Sequence, residues 1–313
     1  MMLKVYTHSL GCKVNLADLA TIVDGLPDHQ YQIVSDAAQA QIALLNTCTV
    51  THRADRDVRK ILGALGRDHP DLPVILTGCA AKLDQGQFSV FANVKQVIAP
   101  SQPEAVAKSL GDWARSLAPT KEHRQHQASP YVRIGRRRAF IKVQDGCNAH
   151  CAYCVIPQVR GRERSVPAEQ LLDQLERLLD QGHHEFVLCG IHLGRYGADQ
   201  KPKTDLPSLL DNMAEWIGDS KSGARLRLSS IEPMEWSESL RQVIAKHDCI
   251  CRHFHVPMQS GDDAVLRAMR RPYHRQQFAE VIETLRAQFP MAALGTDVLV
   301  GFPGESNQAA QNT

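Results

Sequence analysis

Hydrophobic and polar positions divide the chain into two stretches of alternating short apolar runs and helical periodicities. In the first, Leu3–Ser9, Gln41–Thr47, Leu72–Thr77 and Val94–Ala99 read as strands. Helical spacing surrounds Ala17–Leu26 and runs through Ala54–Gly66, where Val58, Ile61, Leu62 and Leu65 share a face. Short apolar strands alternating with helices predict a doubly wound parallel sheet. In the second stretch, strands are expected at Ala139–Val143, Glu185–Cys189, Arg225–Ser229, His253–Val256 and Gly295–Val300. The helix at Ala168–Gln181 stacks Leu171, Leu172, Leu175, Leu178 and Leu179 between Pro167 and Gly182, a helix-start and helix-stop pair. A second, Arg275–Phe289, stacks Phe278, Val281, Ile282, Leu285 and Phe289. Five strand–helix units predict a barrel or an open α/β sheet.

Between the two lies a segment with two prolines, Pro119 and Pro130, and six cations, Lys121, Arg124, Arg133, Arg136, Arg137 and Arg138, against Glu122 alone. Its composition is that of a linker. The resulting expectation is a first domain over 1–118, a basic linker over 119–137 and a second domain over 138–313. The linker reads equally as a solvated connector and as a strip facing phosphate.

Composition adds few exclusions. At 313 residues, 43% hydrophobic and 22% charged, the chain is of ordinary globular make-up, not disordered or fibrous. Its formal charge of +2 announces no global field for nucleic acid, so such a partner would be held by local patches. No apolar run reaches the roughly 18 residues of a spanning helix, and the start lacks a signal-peptide core. The expectation is a soluble cytoplasmic protein without a membrane partner.

The nine cysteines are the informative residues. In a reducing compartment they point to metal or redox chemistry rather than disulfides. Cys12, Cys48 and Cys79 each follow the end of a predicted strand, with Gly11 and Gly78 directly before the first and third. Carboxyl ends of parallel strands lie along one edge, where open α/β sheets bind ligands, so the three thiols can converge. Cys147, Cys151 and Cys154 form C-x3-C-x2-C after Gly146. Three thiolates can hold three irons of a cubane and leave the fourth open to a small molecule. Zinc is the rival for this group, with His150 or Cys189 as a fourth ligand, although structural zinc sites favour paired, well-separated ligand couples. Cys189, Cys249 and Cys251 fall in no such pattern and read as buried thiols.

Cys147-x3-Cys151-x2-Cys154, with Tyr153 before the last cysteine, resembles the radical S-adenosylmethionine signature. The flanks Gln144-Asp145-Gly146-Cys147-Asn148, Cys154-Val155-Ile156-Pro157, Arg160-Gly161-Arg162 and Arg164-Ser165 sharpen the likeness. With three upstream cysteines, the chain resembles the radical S-adenosylmethionine methylthiotransferases from Leu10-Gly11-Cys12-Lys13-Val14-Asn15 to Gly301-Phe302-Pro303-Gly304-Glu305. Gly11-Cys12-Lys13-Val14-Asn15, Gly190-Ile191-His192-Leu193-Gly194-Arg195-Tyr196-Gly197 and Ser229-Ser230-Ile231-Glu232-Pro233 look most like the branch acting on tRNA threonylcarbamoyladenosine. The isopentenyladenosine and ribosomal-protein branches are the alternatives.

The resemblance implies an N-terminal cluster-binding α/β domain followed by a radical S-adenosylmethionine partial (β/α) barrel. It implies two [4Fe–4S] clusters: one on Cys12, Cys48 and Cys79 carrying sulfur, one on Cys147, Cys151 and Cys154 coordinating S-adenosylmethionine. Reductive cleavage of that cofactor would give a 5′-deoxyadenosyl radical, and the product would be a C2-methylthio group on the modified adenosine beside the anticodon. Tyr153, Gly190, Glu232 and Gln259 become candidate cofactor contacts. Arg136, Arg137, Arg138, Arg160 and Arg162 become candidate RNA contacts. The expected partners are tRNA and a flavodoxin-like or ferredoxin-like electron donor, with a monomeric enzyme. Family barrels carry six strands and usually an appended β-rich RNA-binding domain. The pattern here ends after a fifth strand, so a barrel incomplete at its C-terminus is expected, and an inactive iron–sulfur protein is an alternative. An iron–sulfur electron carrier and a zinc-bearing RNA-binding module are the readings from other classes.

Overall fold

The computed structural model describes residues 2–26, 30–83, 86–100, 103–117, 130–134 and 136–313. Most of the expected linker thus lies outside the described residues. The chain divides into two compact units, one of Met1–Ala139 with Gln158–Gly161, the other of Phe140–Pro157 with Arg162–Thr313.

The first unit carries β1 (Leu3–Ser9), β2 (Tyr31–Val34), β3 (Ile42–Thr47), β4 (Val74–Gly78) and β5 (Val94–Val97). Its helices are α1 (Lys13–Asp24), α2 (His52–Asp68), α3 (Cys79–Leu83), α4 (Pro103–Leu117) and α5 (Pro130–Arg133). The five strands hydrogen-bond in the order β2-β1-β3-β4-β5, and every neighbouring pair is parallel. Parallel sheets need both faces covered. β3 accordingly is buried along its whole length. Its alternate residues feed two cores. Ile42 and Leu44 join Leu19, Ile22 and Val23 of α1 and Val106 and Leu110 of α4. Ala43 and Leu45 join Val58, Leu62 and Leu65 of α2. β2 escapes the pattern analysis because its four residues, Tyr31-Gln32-Ile33-Val34, are too short to establish a period.

The second unit carries β6 (Ala139–Asp145), β7 (Arg164–Ser165), β8 (Glu185–Gly190), β9 (Arg225–Leu228), β10 (His253–His255) and β11 (Ala293–Gly295). With it run α6 (Ile156–Arg160), whose last three residues are grouped with the first unit, and α7 (Ala168–Asp180). Then come α8 (Leu206–Ser220), α9 (Glu238–Lys246), α10 (Asp263–Ala268), α11 (Arg275–Gln288) and α12 (Asn307–Asn312). β7-β6-β8-β9 form one sheet and β10-β11 another. Parallel bridges Leu226↔Ile250 and Ser230↔His255 continue the arc from β9 to β10. Strands β6, β8, β9, β10 and β11 therefore follow in chain order with helices between them, the layout of a partial (β/α) barrel. The Leu171, Leu175 and Leu178 stripe of α7 is buried as its spacing requires.

The fifth strand corrects the sequence expectation of Gly295–Val300. Its ladder is set by pairing of His253–His255 with Ala293–Gly295. Val298, Leu299 and Val300 lie beyond it, exposed, with Val298 joined only by an isolated bridge to Gln259. Hydrophobicity marked the wrong end of the segment because register, not apolarity, decides where a strand pairs.

Candidate metal centres and cofactor pocket

In the first unit, β1, β3 and β4 are adjacent and parallel. Ser9 pairs with Asn46 and Thr47 with Gly78, so their carboxyl ends stand side by side. The strand order reverses between β1 and β3, the switch point where doubly wound sheets receive ligands. Cys12 caps α1 in extended conformation, Cys48 follows β3, and Cys79 opens α3. Cys12 is exposed, while Cys48 and Cys79 are 4% and 2% exposed.

Gly11 and Gly78 take φ of 98° and 96°, the left-handed region favouring glycine. A Cβ on Gly11 would lie 2.6 Å from Cys48 Sγ, so that glycine lets the Cys48 thiol pack beside the Cys12 turn. Burial pushes the Cys79 thiol up to about 11 against the opposing Arg160 guanidinium, and it also raises Cys48. Cys79 feels the charge of both Cys12 and Cys48, and Cys48 that of Cys12, which places the three in one electrostatic neighbourhood.

Buried polar groups fix this edge. Asn15 donates through Nδ2 to the carbonyls of Leu10 (2.8 Å) and Thr47 (2.9 Å), tying the turns before Cys12 and Cys48. Asn46 Nδ2 donates to the Asn15 carbonyl, and Thr47 Oγ1 donates to the Thr77 carbonyl at 2.6 Å.

In the second unit, Cys147 follows β6 and Gly146, which has φ 73°. Buried Gln144 donates to the Gly146 carbonyl (2.8 Å) and accepts from the His192 amide (2.8 Å), joining the end of β6 to the turn after β8. Cys154 N donates to the Cys151 carbonyl at 3.1 Å, closing the cysteine loop. Burial raises the Cys154 thiol, with Cys151 and Cys147 adding to the shift. All three cysteines line a pocket of about 440 Å³ with Tyr153, His192, Glu232, Gln259 and Arg271.

Three sequence candidates thus meet at one cavity. Tyr153 stands 40% exposed there, its ring edge-on to Phe302 at 6.4 Å between centroids. Gln259 is held in a left-handed conformation, φ 65°, uncommon for a side chain of its size. Gly190 is half-buried at the end of β8, where a Cβ would come within 3.1 Å of Gln144 Oε1. It stands behind Gln144 rather than among the pocket-lining residues.

Two further side chains line this pocket without any sequence motif that marks them. Arg271 donates to Cys151 Sγ at 3.2 Å and pairs with Glu232. Burial works against its charge, yet Glu232 and Tyr273 hold the guanidinium pKa above its ordinary value. Burial raises Glu232 in turn, opposed by Arg271. His192 contacts Cys147 Sγ through Nδ1 at 3.5 Å and Glu235 through Nε2 at 2.8 Å. Burial opposes its protonation, but the bonds to Cys147 and Glu235 carry it up to about 10. His192 was visible only as a letter inside a strand-end word. Arg271 follows a short helix with no motif around it.

Arg160 corrects the expectation of an RNA contact. It is 3% exposed, and its guanidinium is engaged by Asp18, Asn15 and Cys79. A guanidinium enclosed in this way has no face for a polynucleotide. Arg136, Arg137, Arg138 and Arg162 are exposed.

Both cysteine sets suit an iron–sulfur cluster. Each offers three soft donors to a cluster that takes four. Buried polar atoms next to each set are left over: Asn46 Oδ1 in the first unit, and Arg271 Nε beside the pocket, have no hydrogen-bond partner among the described residues. The trio of half-buried Asp211 and His247 with exposed Glu215 is a poorer metal candidate, because the Lys246 ammonium lies 2.9 Å from both carboxylates. No described helix is long and apolar enough to cross a membrane.

Comparison with known proteins agrees with this arrangement. Residues 141–313 match the radical SAM superfamily, and residues 4–99 match the uncharacterized protein family UPF0004. The chain is 34% identical to a threonylcarbamoyladenosine tRNA methylthiotransferase, MtaB, of Chlamydia pneumoniae, over 97% of this chain and 69% of that one. It is 33% identical to a tRNA-2-methylthio-N(6)-dimethylallyladenosine synthase of Syntrophotalea carbinolica, over 100% of this chain and 73% of that one. Among solved structures, the radical S-adenosylmethionine methyltransferase TsrM of Kitasatospora setae superposes with a TM-score of 0.67 at 16% identity, over 99% of this chain and 69% of that one. That likeness speaks for the fold. Sequence identity across both units speaks for more: the chain belongs to the radical S-adenosylmethionine methylthiotransferase family.

Proposed function

We propose that the protein is a tRNA methylthiotransferase that places a methylthio group on C2 of N6-threonylcarbamoyladenosine beside the anticodon. The observation that carries this reading is the pair of three-cysteine sets, each gathered at a strand-end site, in a chain 34% identical to a threonylcarbamoyladenosine enzyme. Cys12, Cys48 and Cys79 would hold one [4Fe–4S] cluster, and Cys147, Cys151 and Cys154 the other, with S-adenosylmethionine on its open iron. Together the second cluster and S-adenosylmethionine supply carbon-radical chemistry, which no side chain provides and which an unactivated aromatic C–H demands.

The chain's own residues then bind and orient. Tyr153 offers a ring face at the pocket rim, and Gln259 and Glu232 offer polar atoms inside it. Arg271 clamps Glu232 and Cys151 together, and Glu235 orients His192 against Cys147. Gly190 gives the turn after β8 room beside Gln144. Arg136, Arg137, Arg138 and Arg162, exposed and cationic, are the proposed phosphate contacts for tRNA. A flavodoxin-like or ferredoxin-like donor would deliver electrons to a monomeric cytoplasmic enzyme. The dimethylallyladenosine substrate is the second reading, favoured by the 33% identity to a synthase of that branch.

Anaerobic reconstitution tests the proposal. The chain should bind about eight irons, falling to about four when Cys147, Cys151 and Cys154 are all changed to alanine. The loaded protein should methylthiolate tRNA bearing threonylcarbamoyladenosine in preference to tRNA bearing isopentenyladenosine, as read by nucleoside mass spectrometry. The opposite preference would move the chain to the second branch. Zinc in place of iron would overturn the radical reading.

A further inference from the structure

Arg160 is the most deeply buried arginine around either cysteine set, with a side chain 1% exposed. A cation in such a place is expensive unless every donor is met. Its fork is divided three ways. Nη1 donates to Asp18 Oδ2 at 2.8 Å, Nη2 to Asn15 Oδ1, and Nε to Cys79 Sγ at 3.3 Å. Asn15 and Asp18 lie three residues apart on α1, so they are neighbours on its surface and meet one guanidinium together. Asn15 is the side chain that ties the turns before Cys12 and Cys48. Arg160 therefore touches one of the three cysteines and the group that positions the turns of the other two.

We infer that Arg160 is a positioning residue for the cluster on Cys12, Cys48 and Cys79, and that its N–H···S bond and charge raise that cluster's reduction potential. The inference rests on the reading of those cysteines as cluster ligands. Hydrogen bonds to cluster sulfurs and nearby charge are among the factors that set such potentials. Reduction adds negative charge to the cluster, and a donor and cation held at Cys79 favour the more negative state. Asp18 works in the opposite sense, since its carboxylate offsets part of the guanidinium charge. A mere structural anchor would have no such sign: losing either member of the pair would disturb the site alike.

The test uses the full chain with Cys147, Cys151 and Cys154 changed to alanine, so that one cluster remains. About four irons in that parent establish the ligand reading independently; none would refute it, and with it the inference. Redox titration followed by electron paramagnetic resonance then compares three variants with the parent. Arg160→Gln should lower the reduced-to-oxidised ratio at fixed potential about tenfold, which is about 59 mV for one electron. Asp18→Asn should shift the ratio the other way. Arg160→Lys, which keeps charge but not the fork, should fall between parent and Arg160→Gln, and it serves as the readout if the glutamine variant does not load. Reduced-to-oxidised ratios unchanged within threefold in loaded Arg160 variants, or shifts of the same sign for Arg160 and Asp18 variants, would overturn the inference.

Discussion

At the scale of single residues, the first cysteine site depends on backbone conformations as much as on thiols. Gly78 takes φ 96°, and a Cβ there would overlap the Thr47 carbonyl and amide. An L-residue in the left-handed region costs about 1–2 kcal/mol before any clash. Gly78→Ala is therefore expected to lower the thermal midpoint and to strip iron from the first site, measured by calorimetry and iron content of the same preparation. Gly63 supplies the contrast, since in α2 a Cβ would meet only Arg67 Nη1 at 3.7 Å. Gly63→Ala should stabilise by about 0.5–1 kcal/mol through helix propensity. A drop in both variants would mean that Gly78 is not special. The sequence showed a glycine before two of the cysteines, and its tight-turn reading came from that adjacency. It could not show that a buried guanidinium from position 160 would arrive at Cys79, because no local pattern links residues 81 positions apart.

Among the elements, caps and periodicity account for most boundaries. α8 begins where Asp205 accepts a hydrogen bond from the Ser208 amide at 2.9 Å, with Pro207 in the first turn. Removing the acceptor leaves an orphan helix-end donor. Asp205→Ala should cost about 1 kcal/mol, visible as a lower urea midpoint with unchanged slope, whereas Asp205→Ser should recover most of it. α7 and α11 were legible from their apolar spacing. β2 and β11 were not, since a strand of three or four residues has no measurable period and its limits are set by the neighbour it pairs with.

For the whole molecule, each unit has its own reason to cohere. The first is held by a parallel sheet with apolar residues on both faces, and Leu44, fully buried, lies in one of its two cores. Leu44→Ala should destabilise that unit by about 2–5 kcal/mol. Iron at the first site should be lost on mild warming while about four irons stay with the Cys147 set; loss from both sites together would refute independent cores. The sequence by itself determined the alternation of strands and helices, the two cysteine sets and the family, because periodicity, spacing and residue chemistry are local properties of the chain. Tertiary structure alone decided that β1, β3 and β4 are neighbours. It also brought Arg271 and His192 to the cysteine loop and buried Arg160 instead of offering it to RNA. Those outcomes depend on which distant segments pack together, and on the need of a buried charge for partners, neither of which is written in any local pattern.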